Sequence, residues 1–217
     1  MLIFLDTANL EIIRKAKTSG VVDGITTNPT HVSKEIKTTK DFHELIREIC
    51  EIVDGPVSAE VVSTDAEGMM KEARELAAVH RHVVVKIPTT PEGIRATSQL
   101  TREGIRTNLT LIFSPAQAIF VAKAGATFAS PFIGRLDGLG QDGMELVRQM
   151  RTIYRNYGFA TKLLVASIRH PMHVVEAALA GAEAVTMPSE IFHVLFNHPM
   201  TDLGLERFLK DWSKLQS

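Results

Sequence analysis

Short runs dense in Val, Ile, Leu and Phe alternate with longer stretches whose apolar residues return at helical spacing, and no Pro-, Gly- or Ser-rich linker interrupts the rhythm. The short runs predict strands near residues 2–6, 22–27, 57–62, 83–87, 105–110, 126–131, 162–167 and 183–187. Each is nearly all apolar, as a strand covered on both faces should be. Between them, Thr64–Val79, Pro91–Arg102, Ser114–Lys123, Gly143–Tyr157 and Pro171–Ala180 carry the helical period. Ser114-Pro115 and His170-Pro171 place proline just inside a helix start, and Ser63, Thr64 or Asp65 offers an N-cap to the helix that follows them.

Eight apolar strands separated by helices predict an α/β fold, a single parallel (β/α)8 barrel of the TIM type. An open doubly wound sheet would use fewer strands and a glycine-rich first turn, whereas the first turn here is Asp6-Thr7-Ala8-Asn9. At roughly 27 residues per unit the chain falls short of the ~250 residues typical of such barrels, so its loops must be lean. A G-x-G-x-x-G spacing occurs at Gly138, Gly140 and Gly143, but it follows Arg135-Leu136-Asp137 instead of a strand and lacks the βαβ setting of a nucleotide site. A flexible loop at the barrel top accounts for it better.

With 217 residues, 45% of them hydrophobic, the chain is expected to form one domain over 1–217. A formal net charge of -1, with basic residues scattered, provides no footprint for nucleic acid or an anionic membrane surface. The single cysteine, Cys50, lies within a helical pattern and reads as a buried thiol, not a nucleophile. The N-terminal apolar run ends at Asp6, too soon for a signal segment, and no later run is long enough to span a bilayer, so a cytoplasmic location is expected.

Catalytic groups of βα barrels come from the C-terminal ends of several strands. Here those ends carry Asp6, Thr27-Asn28, Ser58-Ala59-Glu60, Lys86, Asn108-Leu109-Thr110, Ser130 and Ser167-Ile168-Arg169. Strand alternation would put Ser58 with Glu60, Asn108 with Thr110, and Ser167 with Arg169 on shared faces. Lys86 is the most informative, because Val83-Val84-Val85-Lys86-Ile87-Pro88 sets an amine inside an apolar run. A buried, unpaired amine is pushed toward its neutral form, a nucleophile able to attack a carbonyl as a Schiff base. A strand-end lysine that reaches solvent or pairs with a carboxylate is the plain alternative.

Asp6 and Glu60 could supply the proton transfers that a Schiff-base aldol cycle requires, although Asp6 could instead cap the helix beginning near Asn9. Asn28, Asn108 and Thr110 could orient hydroxyls or a water, and Asn28 before Pro29 is also an ordinary turn residue. Arg135 and Arg169, with the Ser167 hydroxyl, suit a phosphate, or simply pair with nearby acids. His80-x-His82 and His170-x-x-His173 raise a metal-dependent alternative, but neither pair has an evident third ligand.

At Leu5-Asp6-Thr7-Ala8, Thr26-Thr27-Asn28-Pro29-Thr30, Val85-Lys86-Ile87-Pro88, Ser130-Pro131-Phe132-Ile133-Gly134-Arg135 and Ala166-Ser167-Ile168-Arg169 the chain closely resembles the transaldolase family. It is most similar to the short branch that also contains fructose-6-phosphate aldolases. The resemblance implies transfer of a dihydroxyacetone unit from a ketose phosphate, fructose 6-phosphate or sedoheptulose 7-phosphate, to an aldose phosphate in the pentose phosphate pathway, with no metal or organic cofactor. It also implies roles: Lys86 forms the Schiff base, Asp6 handles the proton of the cleaved carbinol, and Glu60 acts through a water positioned by Thr110. Asn28 and Asn108 would contact the sugar, Ser130 would lie against the bound intermediate, and Arg135, Ser167 and Arg169 would hold phosphate. Aldolases of the branch carry Gln and Tyr where this chain has Glu60 and Phe132, which favours transfer over free cleavage. Substitution of a carboxylate for an amide, and loss of a phenol, change which proton transfers are possible.

A phosphosugar-binding barrel without activity would keep Arg135 and Arg169, but would have no need of Lys86, Asp6 and Glu60 together. The last helical pattern, Met200 to Trp212, places Leu205, Phe208, Leu209 and Trp212 on one face. It could pack on its own barrel. The family resemblance instead implies a homo-oligomer, a pentamer or decamer, in which this helix reaches a neighbour.

Overall fold

The computed structural model describes residues 1–38 and 41–215. Its eight strands are β1 (Leu2–Asp6), β2 (Gly24–Thr26), β3 (Val57–Glu60), β4 (Val83–Pro88), β5 (Thr107–Ile112), β6 (Phe128–Pro131), β7 (Lys162–Val165) and β8 (Ala184–Met187). They pair in sequence order, every pair parallel, and β8 closes on β1. Around the barrel run α1 (Leu10–Lys17), α2 (Pro29–Glu35), α3 (Phe42–Val53), α4 (Ala66–Val79), α5 (Pro91–Arg102) and α6 (Pro115–Lys123). They are followed by α7 (Ile133–Asp137), α8 (Gly143–Tyr157), α9 (Pro171–Leu179), α10 (Ser189–Val194) and α11 (Pro199–Ser213). Among the described residues no helix is long and apolar enough to cross a membrane.

Burial on both faces explains the apolar strands. Leu5, Ile25, Val57, Val85, Leu109, Leu163 and Val185 point outward into the layer shared with the helices. Phe4, Val84, Phe128, Leu164 and Ala184 fill the lower barrel interior, with Leu2 packed against them. Cys50 is fully buried in α3, and burial pushes its thiol up to about 12, so it has no thiolate character at neutral pH.

The helix starts are set by short polar side chains. Asn9 caps α1 by accepting from the Ile12 N–H at 2.9 Å, which leaves Asp6 without a capping duty. Asp65 caps α4, Thr90 caps α5, and Ser114 forms a capping box with Gln117 at α6. Pro171 occupies the first position of α9, as the sequence predicts.

Three short helices, α2, α7 and α10, escape the periodicity, because 5 to 7 residues are too few to establish one. The glycine spacing at 138, 140 and 143 joins α7 to α8. Its last member is packed, not loose: a Cβ at Gly143 would lie 2.4 Å from the Ile133 carbonyl oxygen.

Some strands are shorter or less regular than the apolar runs suggest. β2 stops at Thr26, and β7 at Val165. Ser167 then adopts a left-handed φ of 62°, so strand alternation does not reach Arg169, and the shared face expected for that pair is not a strand face. In β5 the register against β6 shifts between Leu109 and Ile112, with Leu111 at φ 60°.

Candidate active site

The inward side of each strand is its even-numbered side, in β5 up to the irregularity at Leu111, and above the apolar plug that side turns polar. The register sets Glu60 of β3 beside Lys86 of β4, and Lys86 beside Asn108 of β5. Lys86 is only 4% exposed. Its Nζ lies 3.0 Å from Glu60 Oε2 and donates to the Thr27 carbonyl at 3.0 Å. The amine is therefore paired. That pairing differs from the isolated amine in an apolar wall that the strand run alone suggests.

Asp6 ends β1, three strands from Lys86 around the closed barrel. Its Oδ1 accepts from the Thr26 hydroxyl at 2.9 Å, and Thr26 also meets the Thr186 hydroxyl at 2.7 Å. Since Thr26 spends its one proton on Asp6, Thr186 is the donor to Thr26. His31 Nδ1 approaches the same Asp6 oxygen at 3.5 Å.

A second chain crosses the barrel interior. Asn108 Nδ2 donates to Ser58 Oγ at 3.0 Å, and Ser130 Oγ donates to Asn108 Oδ1 at 2.8 Å. Both ends of the Asn108 amide are thereby fixed, on the strand next to Lys86. The Thr110 hydroxyl is buried and has no hydrogen-bond partner among the described residues. Asn28 caps α2, its Oδ1 accepting from the His31 N–H at 2.9 Å while its Nδ2 faces His31 Nδ1 at 3.3 Å.

Phe132 joins the amine to the arginines. Lys86 Nζ lies 6.0 Å from its ring centroid, and the Arg135 guanidinium carbon 5.0 Å from it. Arg135 belongs to α7; Ser167 and Arg169 lie in the segment after β7. The two segments touch at Gly134, whose N–H donates to the Ser167 carbonyl at 3.1 Å. Only glycine fits there, since a Cβ would sit 2.2 Å from that oxygen and 2.5 Å from Arg169 Cγ. A cavity of about 610 Å³ borders the site at Asn28 and Glu60 and runs outward between α2 and α4 past Val32, Phe42 and Leu76.

The mouth thus gathers Lys86, Glu60, Asp6, Asn108 and Ser130, with Phe132 on one side leading to Arg135. Four participants are not disclosed by the strand pattern: the Thr27 carbonyl, the Thr26 and Thr186 hydroxyls, and His31. Thr186 had a usable signal, as a lone hydroxyl inside the apolar run Ala184-Val185-Thr186-Met187. The remaining histidines do not gather. His80 stacks on His82, which meets Asp54, and His170 lies against His173; among the described residues no group of three or more His, Cys, Asp or Glu is disposed to hold a metal ion.

Residues 3–217 match the family described as Transaldolase/Fructose-6-phosphate aldolase. A protein of Petrotoga mobilis named "Probable transaldolase" is 62% identical over 216 residues, covering 100% of this chain and 96% of that protein. One of the same name from Aquifex aeolicus is 57% identical over 215 residues, covering 99% and 98% respectively. Another from Methanococcus maripaludis is 56% identical over 212 residues, 98% of this chain and 97% of its own.

Proposed function

Because the chain belongs to the transaldolase/fructose-6-phosphate aldolase family, we propose that it is a transaldolase acting through a Schiff base on Lys86. The observation that carries this reading is the buried amine of Lys86 within 3.0 Å of the Glu60 carboxylate at the mouth of a closed barrel. Lys86 Nζ adds to the C2 carbonyl of a ketose phosphate, and the carbinolamine loses water to an iminium. Asp6 takes the proton of the C4 hydroxyl as the C3–C4 bond breaks, which releases an aldose phosphate and leaves a three-carbon enamine on Lys86. The enamine attacks the aldehyde of an acceptor aldose phosphate, Asp6 returns its proton, and water hydrolyses the new imine.

Glu60 serves formation and hydrolysis of the imine through a water that the Thr110 hydroxyl helps to place. Asn28 and Asn108 meet sugar hydroxyls, Ser130 and Phe132 flank the bound intermediate, and Arg135, Ser167 and Arg169 take the phosphate. Glu60 and Phe132, in place of the aldolase branch's Gln and Tyr, favour transfer over release of free dihydroxyacetone. The whole chain works as one domain in the cytoplasm, within the pentose phosphate pathway.

It assembles as a pentamer or decamer through α11. That helix buries none of its residues, and Leu203, Leu205, Phe208, Leu209 and Trp212 are all more than half exposed. Light scattering should show the oligomer, and a fully active monomer would refute it.

The decisive experiment is borohydride reduction in the presence of fructose 6-phosphate, followed by peptide mass spectrometry. A reduced dihydroxyacetone adduct on Lys86, absent from Lys86→Met, is expected. Active protein carrying no adduct would overturn the lysine assignment. Release of dihydroxyacetone at the same rate with and without erythrose 4-phosphate would make the protein a fructose-6-phosphate aldolase instead.

A further inference from the structure

We propose that His173 is a positioning residue for the phosphate end of the substrate, locking together the two segments that carry Arg135 and Arg169; this rests on the phosphate reading of those arginines. His173 lies in the first turn of α9 and is 4% exposed. Its Nδ1 accepts the backbone N–H of Arg169 at 3.2 Å. Its Nε2 meets Asp137 Oδ2 at 3.0 Å, and Asp137 Oδ1 accepts the N–H of Gly143 at 2.9 Å. Asp137 ends α7, the helix that carries Arg135, and Gly143 begins α8.

One imidazole therefore ties three elements: the segment after β7, α7 and the start of α8. Only the neutral ring protonated at Nε2 satisfies both bonds, since Nδ1 must present a lone pair to Arg169 while Nε2–H donates to Asp137. Burial lowers the His173 pKa, the neighbouring His170 lowers it further, and Asp137 opposes both less strongly. The neutral form is thus the resting one. Ser167 in its left-handed conformation and the tight Gly134 contact leave the backbone of both segments little slack. A shift of the Arg169 N–H would displace its guanidinium relative to that of Arg135. Phosphate recognition by two arginines depends on such relative placement, because their donors form rigid forks.

The test compares His173→Phe, which keeps ring volume but neither bond, with His173→Asn, whose amide can restore an acceptor. His173→Phe should raise KM for fructose 6-phosphate about tenfold while kcat stays within about twofold, and should weaken competitive inhibition by inorganic phosphate by a similar factor. His173→Asn should recover part of both. Asp137→Ala, at a more exposed position, should move the same two quantities, and the double variant should add little to either single one. A fall in kcat at unchanged KM, or unchanged phosphate inhibition in both His173→Phe and Asp137→Ala, would overturn the proposal. Arg135→Ala and Arg169→Ala separate the two levels. If they too leave phosphate inhibition intact, the phosphate reading itself fails; if they abolish it while the His173 and Asp137 variants do nothing, only the positioning role is lost.

Discussion

The lower and upper halves of the barrel interior use the same strands and the same side of each strand, yet hold opposite chemistry. Phe4, Val84 and Phe128 stand two residues before Asp6, Lys86 and Ser130, a rise of roughly 6.6 Å along each strand. Below, the contacts are apolar, with Phe4 and Phe128 packed edge to face at 6.0 Å. Above, Asp6, Thr26 and Thr186 form one linked set, Ser58, Asn108 and Ser130 another, and Lys86 joins Glu60. The apolar plug closes the floor, so that the polar layer meets solvent only from the mouth. In that drier setting the electrostatic contact between amine and carboxylate is stronger than it would be in water. The division teaches that stability and chemistry are separated by one inward position on the strand, not by domain or by face.

The largest effect expected from this division is on turnover. Lys86→Met should lower transaldolase activity by about a thousandfold or more, since no other side chain at the mouth offers a covalent route. Steady-state assay with urea denaturation of the same sample checks it; activity within tenfold of wild type would break the assignment of chemistry to the upper layer. Phe128→Ala is the reciprocal change. Loss of the ring leaves a cavity beside Phe4 and should cost about 3–5 kcal/mol of stability by urea denaturation. The kcat per folded molecule should remain within about twofold. If Phe128→Ala reduced the turnover of the folded fraction as severely as Lys86→Met, the two halves would not be separable.

How far the sequence discloses this arrangement depends on what carries the signal. Lys86, Glu60, Asp6 and Asn108 are legible because each is polar inside or at the end of an apolar run, and strand alternation fixes the side on which it lies. The eight-strand order is legible for the same reason, each run being buried on both faces. The Thr27 carbonyl is invisible to such reasoning, since a main-chain acceptor has no residue-type signature. His31 reaches Asp6 only because Asn28 turns the chain into α2, a helix too short to show a period. Arg169 is read correctly as following a strand, but Ser167 is read as belonging to one that in fact stops at Val165, so the two do not alternate along it. Between Val165 and Arg169 the chain leaves the strand, with Ala166 bridging only to Phe132 and Ser167 left-handed, and alternation ends there. The Asp137–His173 bridge joins residues 36 apart in sequence across two helices and could be found only in three dimensions.

The smallest effects sharpen the comparison most, because β5 carries the same anomaly on its two sides, outward at Thr107 and inward at Thr110. The hydroxyls of Thr107 and Thr110 are both buried without a hydrogen-bond partner among the described residues. A buried unpaired hydroxyl costs stability, so Thr107→Val, on the side facing the helices, should gain about 1 kcal/mol and leave turnover unchanged. Thr110→Val removes the same group three residues later and should be equally benign to stability. There, however, the hydroxyl is proposed to hold the water that hydrolyses the imine, and turnover should fall about tenfold or more. Paired urea curves and steady-state rates for the two variants decide the matter. Opposite kinetic outcomes from one chemical change on one strand would locate where packing gives way to chemistry; equal ones would leave Thr110 a packing residue and end the catalytic layer at Glu60.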